Sequence, residues 1–151
     1  MSFWRAYKLP DNEEIGSLLE RAERRLEAAY YLFDRGFFAD AVSRAYYTNF
    51  LEKFDQKCDM YFAAKALLLT KDISVKTHKG LVSKFGLEFI DEGVVETYYG
   101  RALRTAEELR EEADYSISRE ISREEAKSLI EDAEKFLARI KRAIREMSEQ
   151  K

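Results

Sequence analysis

Apolar side chains recur at helical spacing along most of the chain. They stand three and four positions apart from about Asn12 until Gly36, which suits a left-handed C-cap. The same spacing runs from about Val94 to Ala113, and again after the capping box S-x-x-E that begins at Ser122. A shorter run, THKGLVSKF, predicts a short helix that ends at Gly86. The pattern therefore predicts an all-α protein.

The stretch from Phe37 to Lys71 contains neither glycine nor proline and is dense in aromatic residues and alanine. It predicts one unusually long second helix, which would measure about 50 Å at 1.5 Å per residue. Because the turn at Gly36 is short, this helix should form an antiparallel hairpin with the first one. Its apolar residues occupy two faces, which indicates that it is covered from more than one side.

Composition is consistent with a single helical domain. A chain of 151 residues with 46% apolar content is long enough for one core, and one proline and six glycines leave few turns. The first eleven residues carry Phe3, Trp4 and Tyr7, and we expect this arm to pack on the bundle or on a second subunit. The net charge of −3 excludes a general basic field, so binding of RNA would need a local patch.

The residues available for metal or redox chemistry are few. One histidine, His78, and one cysteine, Cys58, make a zinc cluster or a two-histidine metal site within one subunit impossible. Gly-rich phosphate loops are absent from the sequence as well. We expect neither a metal nor a cofactor. With no signal-like N-terminus and no apolar run near 18 residues, the sequence predicts a cytoplasmic protein that does not contact a membrane.

A first cluster of polar residues lies where the short helix begins. Lys76, His78 and Lys79 place positive charge and hydrogen-bond donors around a helix N-terminus, an arrangement that can hold a phosphate group. A polar loop in which His78 caps or packs against the helix is the simpler interpretation.

A second cluster lies where the fourth predicted helix ends. Arg110 and Asp114 are four residues apart, so they share one helix face, and Tyr115 follows directly. These residues form either an ion pair that fastens the helix end or part of a pocket whose arginine binds an anion.

Several of these segments are familiar together. In order, SRAYY (43–47), YFAAKALL (61–68), KTHKGL (76–81), LREEADY (109–115) and the EEA opening of the last helix resemble the HEPN domain, in its branch of small archaeal and bacterial proteins. The similarity covers residues 14 to 145. It implies an up-and-down four-helix bundle with a short extra helix. It also implies a homodimer, often encoded beside a minimal nucleotidyltransferase in toxin-antitoxin-like pairs.

The resemblance fails at one important residue. Many HEPN proteins are metal-independent endoribonucleases whose motif is an arginine, four to six residues, and a histidine. Arg110 matches that arginine, but the positions where the histidine would stand are Tyr115, Ser116 and Ile117. A tyrosine with a pKa of about 10 is a poor base at neutral pH. We therefore assign no catalytic residue and favour a binding function over catalysis.

A second departure lies within the predicted long helix. Relatives pass almost directly from AYY into FAAKALL, whereas this chain inserts TNFLEKFDQKC at residues 48 to 58. Eleven residues make about three helical turns, which would carry Phe50, Leu51 and Phe54 beyond the ordinary bundle. We expect these three side chains to mark a subunit or partner contact.

The sequence favours a dimeric, HEPN-type nucleotide-binding, RNA-binding or regulatory module that pairs with a nucleotidyltransferase. Its ligand would lie near Arg110, Asp114 and Tyr115 and near the cluster of Lys76, His78 and Lys79. Two alternatives remain open. One is an endoribonuclease that uses Arg110 with His78 or Tyr115, and the other is a bundle that serves only protein assembly.

Overall fold

The computed structural model describes residues 12–45, 59–105 and 120–149, all of which lie in helices or in short connections between them. The helices are α1 (Asn12–Asp34), α2 (Phe38–Ala45), α3 (Asp59–Leu69), α4 (His78–Phe85), α5 (97–105) and α6 (Arg123–Glu149), and a π-helical turn, Gly86–Ile90, continues α4. These three ranges contain no strand, and the predicted all-α class is confirmed. The N-terminal arm (1–11) and the expected contact residues Phe50, Leu51 and Phe54 lie outside them.

Helix α3 is the centre of the core. Its side chains are buried almost all the way round, and it packs against α1, α6 and α4. A helix that is apolar on every side is stable only when other helices enclose it. The fully or almost fully buried residues of α3 are Met60, Tyr61, Phe62, Ala63, Ala64, Ala66, Leu67 and Leu68.

The prediction of one straight helix from Phe37 to Lys71 fails for its two described parts, α2 and α3, and residues 46–58 between them lie outside the described residues. Helices α2 and α3 contact one another, and each also packs on α1 and on α6. In one continuous straight helix, Ala45 and Asp59 would be about 21 Å apart, and α2 could not contact α3. Because α2 and α3 share α1 and α6 as neighbours, the same two helices cover the apolar surfaces of both.

Three helix ends share the same left-handed C-cap. At the end of α1, Gly36 has φ +84°, the Gly36 amide donates to the Phe33 carbonyl and the Phe37 amide donates to the Leu32 carbonyl. This pair of hydrogen bonds is the Schellman motif, and it confirms the predicted cap at Gly36. The same pair recurs after α3, where Asp72 has φ +58°, and after the π-helical turn, where Gly93 has φ +75°. Each cap reverses the chain within a few residues.

Gly86 does not end the short helix, contrary to the prediction. Its backbone is helical, with φ −61° and ψ −47°, and the chain continues into the π-helical turn until Ile90. Phe85 and Phe89 are both buried and their ring centroids lie 6.0 Å apart, so the apolar stripe runs straight through the glycine. Burial of this stripe outweighs the weak helix preference of one glycine.

Helix α6 has the clear amphipathic pattern that the sequence indicates, and its first turn has the predicted cap. The Ser122 hydroxyl accepts a hydrogen bond from the Glu125 amide at 3.1 Å. Phe136 lies on the buried face, with its ring centroid 5.7 Å from that of Phe85 and 6.3 Å from that of Tyr99. This one side chain therefore joins α4, α5 and α6.

We predict that Phe136→Ala lowers the free energy of unfolding by about 3–5 kcal/mol, because it opens a cavity among three helices. The neighbouring exposed residue provides the control, and Lys135→Ala should change stability by about 0.5 kcal/mol or less. Denaturant unfolding followed by circular dichroism, at one fixed protein concentration, measures both. Equal stabilities for the two variants would contradict this account of the core.

Candidate functional site

The first predicted cluster lies at an exposed helix start. Lys76 and Lys79 are exposed, and His78 is the first residue of α4. The Thr77 side-chain oxygen accepts a hydrogen bond from the Gly80 amide at 2.9 Å, so threonine, and not histidine, is the N-cap. The cap uses one of the amides that could otherwise bind an anion, and the two lysines leave positive charge beside the helix start.

The second predicted cluster, Arg110, Asp114 and Tyr115, lies outside the described residues, as does any contact between it and His78. The helix that leads into it can be followed from residue 97 to residue 105. The structure therefore shows how the start of α5 is held.

A buried arginine of α6 holds the segment that precedes α5. Arg139 is only 7% exposed. Its Nε donates to Glu96 Oε1 at 2.6 Å and its Nη2 donates to the Val94 carbonyl at 2.9 Å. The Arg139 Nη1 atom is buried and has no hydrogen-bond partner within the described part of the chain. A buried cation with one strong carboxylate partner ties the loop firmly, because separating the pair would leave the arginine charge uncompensated.

The first turn of α5 is also fastened to α6. The Tyr98 hydroxyl donates to Asp132 Oδ1 at 2.8 Å, and the Tyr98 and Tyr99 rings meet edge to face at 4.9 Å. The hydrogen bond to Asp132, with burial as the next cause, raises the pKa of Tyr98 to about 12. The phenol therefore stays protonated and keeps donating at physiological pH. Together with Arg139, this contact gives α5 a defined start.

The Glu96 carboxylate depends on Arg139 for its ionisation. The hydrogen bond from Arg139 is the main cause that holds the pKa of Glu96 below its ordinary value of 4.5. A carboxylate with a lowered pKa in the folded state contributes stability above its unfolded pKa. That contribution disappears as the pH falls through the folded pKa.

A different basic surface lies on α1 and α2. Two adjoining hollows, of about 780 and 360 Å³, share Arg24 and Arg25 in their walls, and we call them together the arginine groove. The larger hollow is lined by Arg24, Arg25, Glu27, Ala28, Tyr31, Leu32 and Arg44, and the smaller by Arg21, Arg24, Arg25 and Phe62. Four arginines and one glutamate thus line a single surface.

Aromatic rings lie beneath the guanidinium groups of this groove. The Cζ atoms of Arg21 and Arg25 are 5.8 and 5.9 Å from the centroid of the buried Phe62 ring. At one end, the Arg35 Cζ atom is 3.7 Å from the centroid of Tyr31, whose side chain is 58% exposed. Cation–π contacts at such distances hold guanidinium groups over a ring.

The arginine groove was not predicted from the sequence, because charged residues of an amphipathic helix most often form its solvated face. The spacing of Arg21, Arg24 and Arg25 was a usable signal, since residues three and four apart share a face. Only the packing of α2 and α3 against α1 brings Arg44 and Phe62 to the same place.

Among the described side chains, no three residues of the histidine, cysteine, aspartate and glutamate types come together closely enough to hold a metal ion. None of the helices in the described ranges is both long and apolar enough to cross a bilayer.

Comparison with known proteins identifies the class. The model of the HEPN domain matches residues 15–143, so this chain belongs to the HEPN domain family. Two relatives from Methanocaldococcus jannaschii, each named "Putative toxin", are 43% identical over 135 residues and 36% identical over 129 residues. These matches cover 89% and 85% of this chain and 92% and 80% of the relatives. The match confirms the resemblance that the ordered motifs indicated.

A third relative extends the family beyond the proteins named as toxins. A "UPF0332 protein" from Archaeoglobus fulgidus is 30% identical over 132 residues, which is 87% of this chain and 96% of the relative. The similarity therefore covers nearly the whole length of this relative, and it is not confined to the part that matches the domain model.

We predict that Glu96→Gln lowers the free energy of unfolding by about 1–2 kcal/mol at pH 7, because the buried Arg139 loses its charged partner while Glu96 itself is partly exposed. The difference from wild type should shrink as the pH falls below 4.5 and Glu96 becomes protonated in wild type as well. Urea unfolding between about pH 3 and pH 7, the range that spans a carboxylate titration, measures it. A difference that stays constant across this range would contradict a stabilising ion pair between Arg139 and Glu96.

Proposed function

We propose that this protein is a dimeric nucleotide- or RNA-binding component of a toxin-antitoxin-like pair, and that it works in the cytoplasm with a minimal nucleotidyltransferase. The observation that carries the proposal is membership of the HEPN domain family together with two relatives named as toxins over most of this chain's length. The name "Putative toxin" of these two relatives is why a second, neutralising protein belongs to the proposal.

The proposed ligand site combines Arg110, Asp114 and Tyr115 with the segment that contains Lys76, His78 and Lys79. Two features of the described residues support it. Lys76 and Lys79 are exposed beside the start of α4, where positive charge favours an anionic ligand. Arg139 and Asp132 fasten the start of α5, the helix that leads towards Arg110. A binding residue is most effective when the element that carries it is held in place.

Binding without cleavage is the favoured form of this function. Arg110 matches the arginine of the family's ribonuclease motif, but Tyr115 begins the positions where its histidine would stand. A guanidinium group binds phosphate without needing a nearby base, whereas proton transfer needs a group whose pKa is close to the working pH.

A ribonuclease that uses Arg110 with His78 or Tyr115 is the second candidate, because the arginine is retained and two relatives carry a toxin name. Cleavage would require His78 or Tyr115 to reach the phosphate that Arg110 binds.

We expect the purified protein to be a dimer, to co-purify with its co-encoded nucleotidyltransferase and to bind labelled ATP or a short RNA. Arg110→Ala should weaken that binding about tenfold, because a charge-assisted contact to phosphate is worth roughly 1.4 kcal/mol or more. Arg104→Ala, an exposed arginine in α5, is the matched control and should bind like wild type. Light scattering, co-purification and fluorescence anisotropy give the three measurements.

A monomer that neither co-purifies with the nucleotidyltransferase nor binds ATP or RNA would reject the proposed function. RNA cleavage that disappears in Arg110→Ala and persists in Arg104→Ala would replace it with the ribonuclease alternative.

A further inference from the structure

We propose that the arginine groove is a second anion-binding surface, which binds the phosphodiester backbone of a single-stranded nucleic acid. The inference goes beyond the proposed function and does not depend on Arg110. It starts from the four arginines and one glutamate that line the two adjoining hollows.

The first argument is the concentration of positive charge. The whole chain has a net charge of −3, yet the groove places Arg21, Arg24 and Arg25 on one face of α1. Glu23, which lies among them in the sequence, pairs instead with Lys141 of α6.

The second argument is the shape and length of the basic face. From Arg21, the face runs along α1 through Tyr31 to Arg35, just beyond the end of the helix, whose guanidinium lies against one face of the Tyr31 ring. Fourteen residues of helix measure about 21 Å. A stacked strand advances about 3.4 Å per nucleotide, so this length matches roughly six phosphates. Arg44, from α2, adds positive charge on the wall of the larger hollow.

The third argument is the chemistry of the side chains. Guanidinium groups donate paired hydrogen bonds that fit the oxygens of a phosphate. The Phe62 ring beneath Arg21 and Arg25 limits the motion of their guanidinium groups, so less conformational entropy is lost when a phosphate binds. The exposed Tyr31, stacked with Arg35, presents a flat surface on which a base can stack.

These features favour a nucleic acid over an acidic protein segment. A polynucleotide presents both a regular row of anions and a series of flat bases, and the groove offers both a row of arginines and an exposed aromatic residue. An acidic peptide would use the charges and leave the Tyr31 surface without a function.

The test uses the full-length protein and a fluorescein-labelled single-stranded RNA of about twelve nucleotides, long enough for the roughly six phosphates of the groove. Arg24 is the residue to change, because it lines both hollows. We expect Arg24→Glu to weaken binding at least tenfold in fluorescence anisotropy. The dependence of log K on log salt should also become shallower by about one to two units, since phosphate contacts are lost.

The matched control is Arg101→Glu, an exposed arginine of α5, which does not line the groove. It makes the same change in net charge and should alter the affinity less than twofold. DNA of the same sequence should bind within about threefold of RNA, because the backbone carries most of the affinity. Poly-L-glutamate at equal charge concentration should compete poorly.

Equal losses in Arg24→Glu and Arg101→Glu, effective competition by poly-L-glutamate, or binding of RNA alone would each overturn the inference. If circular dichroism shows that Arg24→Glu is unfolded, Arg44→Gln serves instead, and unchanged RNA affinity in that variant would overturn the inference as well. If the inference about the groove fails while the protein still dimerises and still binds the nucleotidyltransferase, the proposed function stands. Conversely, binding that depends on Arg24 and not on Arg110 would support the groove alone.

Discussion

The enclosure of α3 by its neighbours is the constraint on which the rest of this structure depends. The helix is apolar round most of its circumference, so it must be covered by α1, α6 and α4 at the same time. That requirement brings α2 and α3 onto the same neighbours. It also places Phe62 beneath the arginines of α1, so the same packing of helices forms both the core and the floor of the arginine groove.

Arginines serve two different purposes in this fold. Arg139 is buried, and its guanidinium group donates to the Glu96 carboxylate and to the Val94 carbonyl inside the protein. These contacts position the start of α5. The groove arginines present their charge at a surface instead, in a chain that is acidic as a whole. In a member of the HEPN domain family, the first arrangement holds the start of α5, and the second gathers arginines of α1 and α2 on one surface.

Local signals determined much of this protein from the sequence alone. Helical spacing of apolar residues was sufficient for the all-α class, because a helix must cover one face wherever it packs. Gly36 and Ser122 marked helix ends through their own backbone and side-chain chemistry, and both caps are present. The ordered motifs were sufficient for the family, which the domain match over residues 15–143 confirms. The polar clusters indicated by spacing, around Lys76 and Arg110, remain predictions.

The tertiary structure alone decided the features that depend on residues distant in the sequence. The period of apolar residues is the same in one long helix and in two helices that share their neighbours. Only the packed structure therefore shows that α2 contacts α3. Gly86 stays helical because Phe85 and Phe89 are buried on either side of it. Arg139 and Glu96 are 43 residues apart, and no local pattern could pair them. The groove has the same origin, because a surface charge acquires its neighbours only when helices pack.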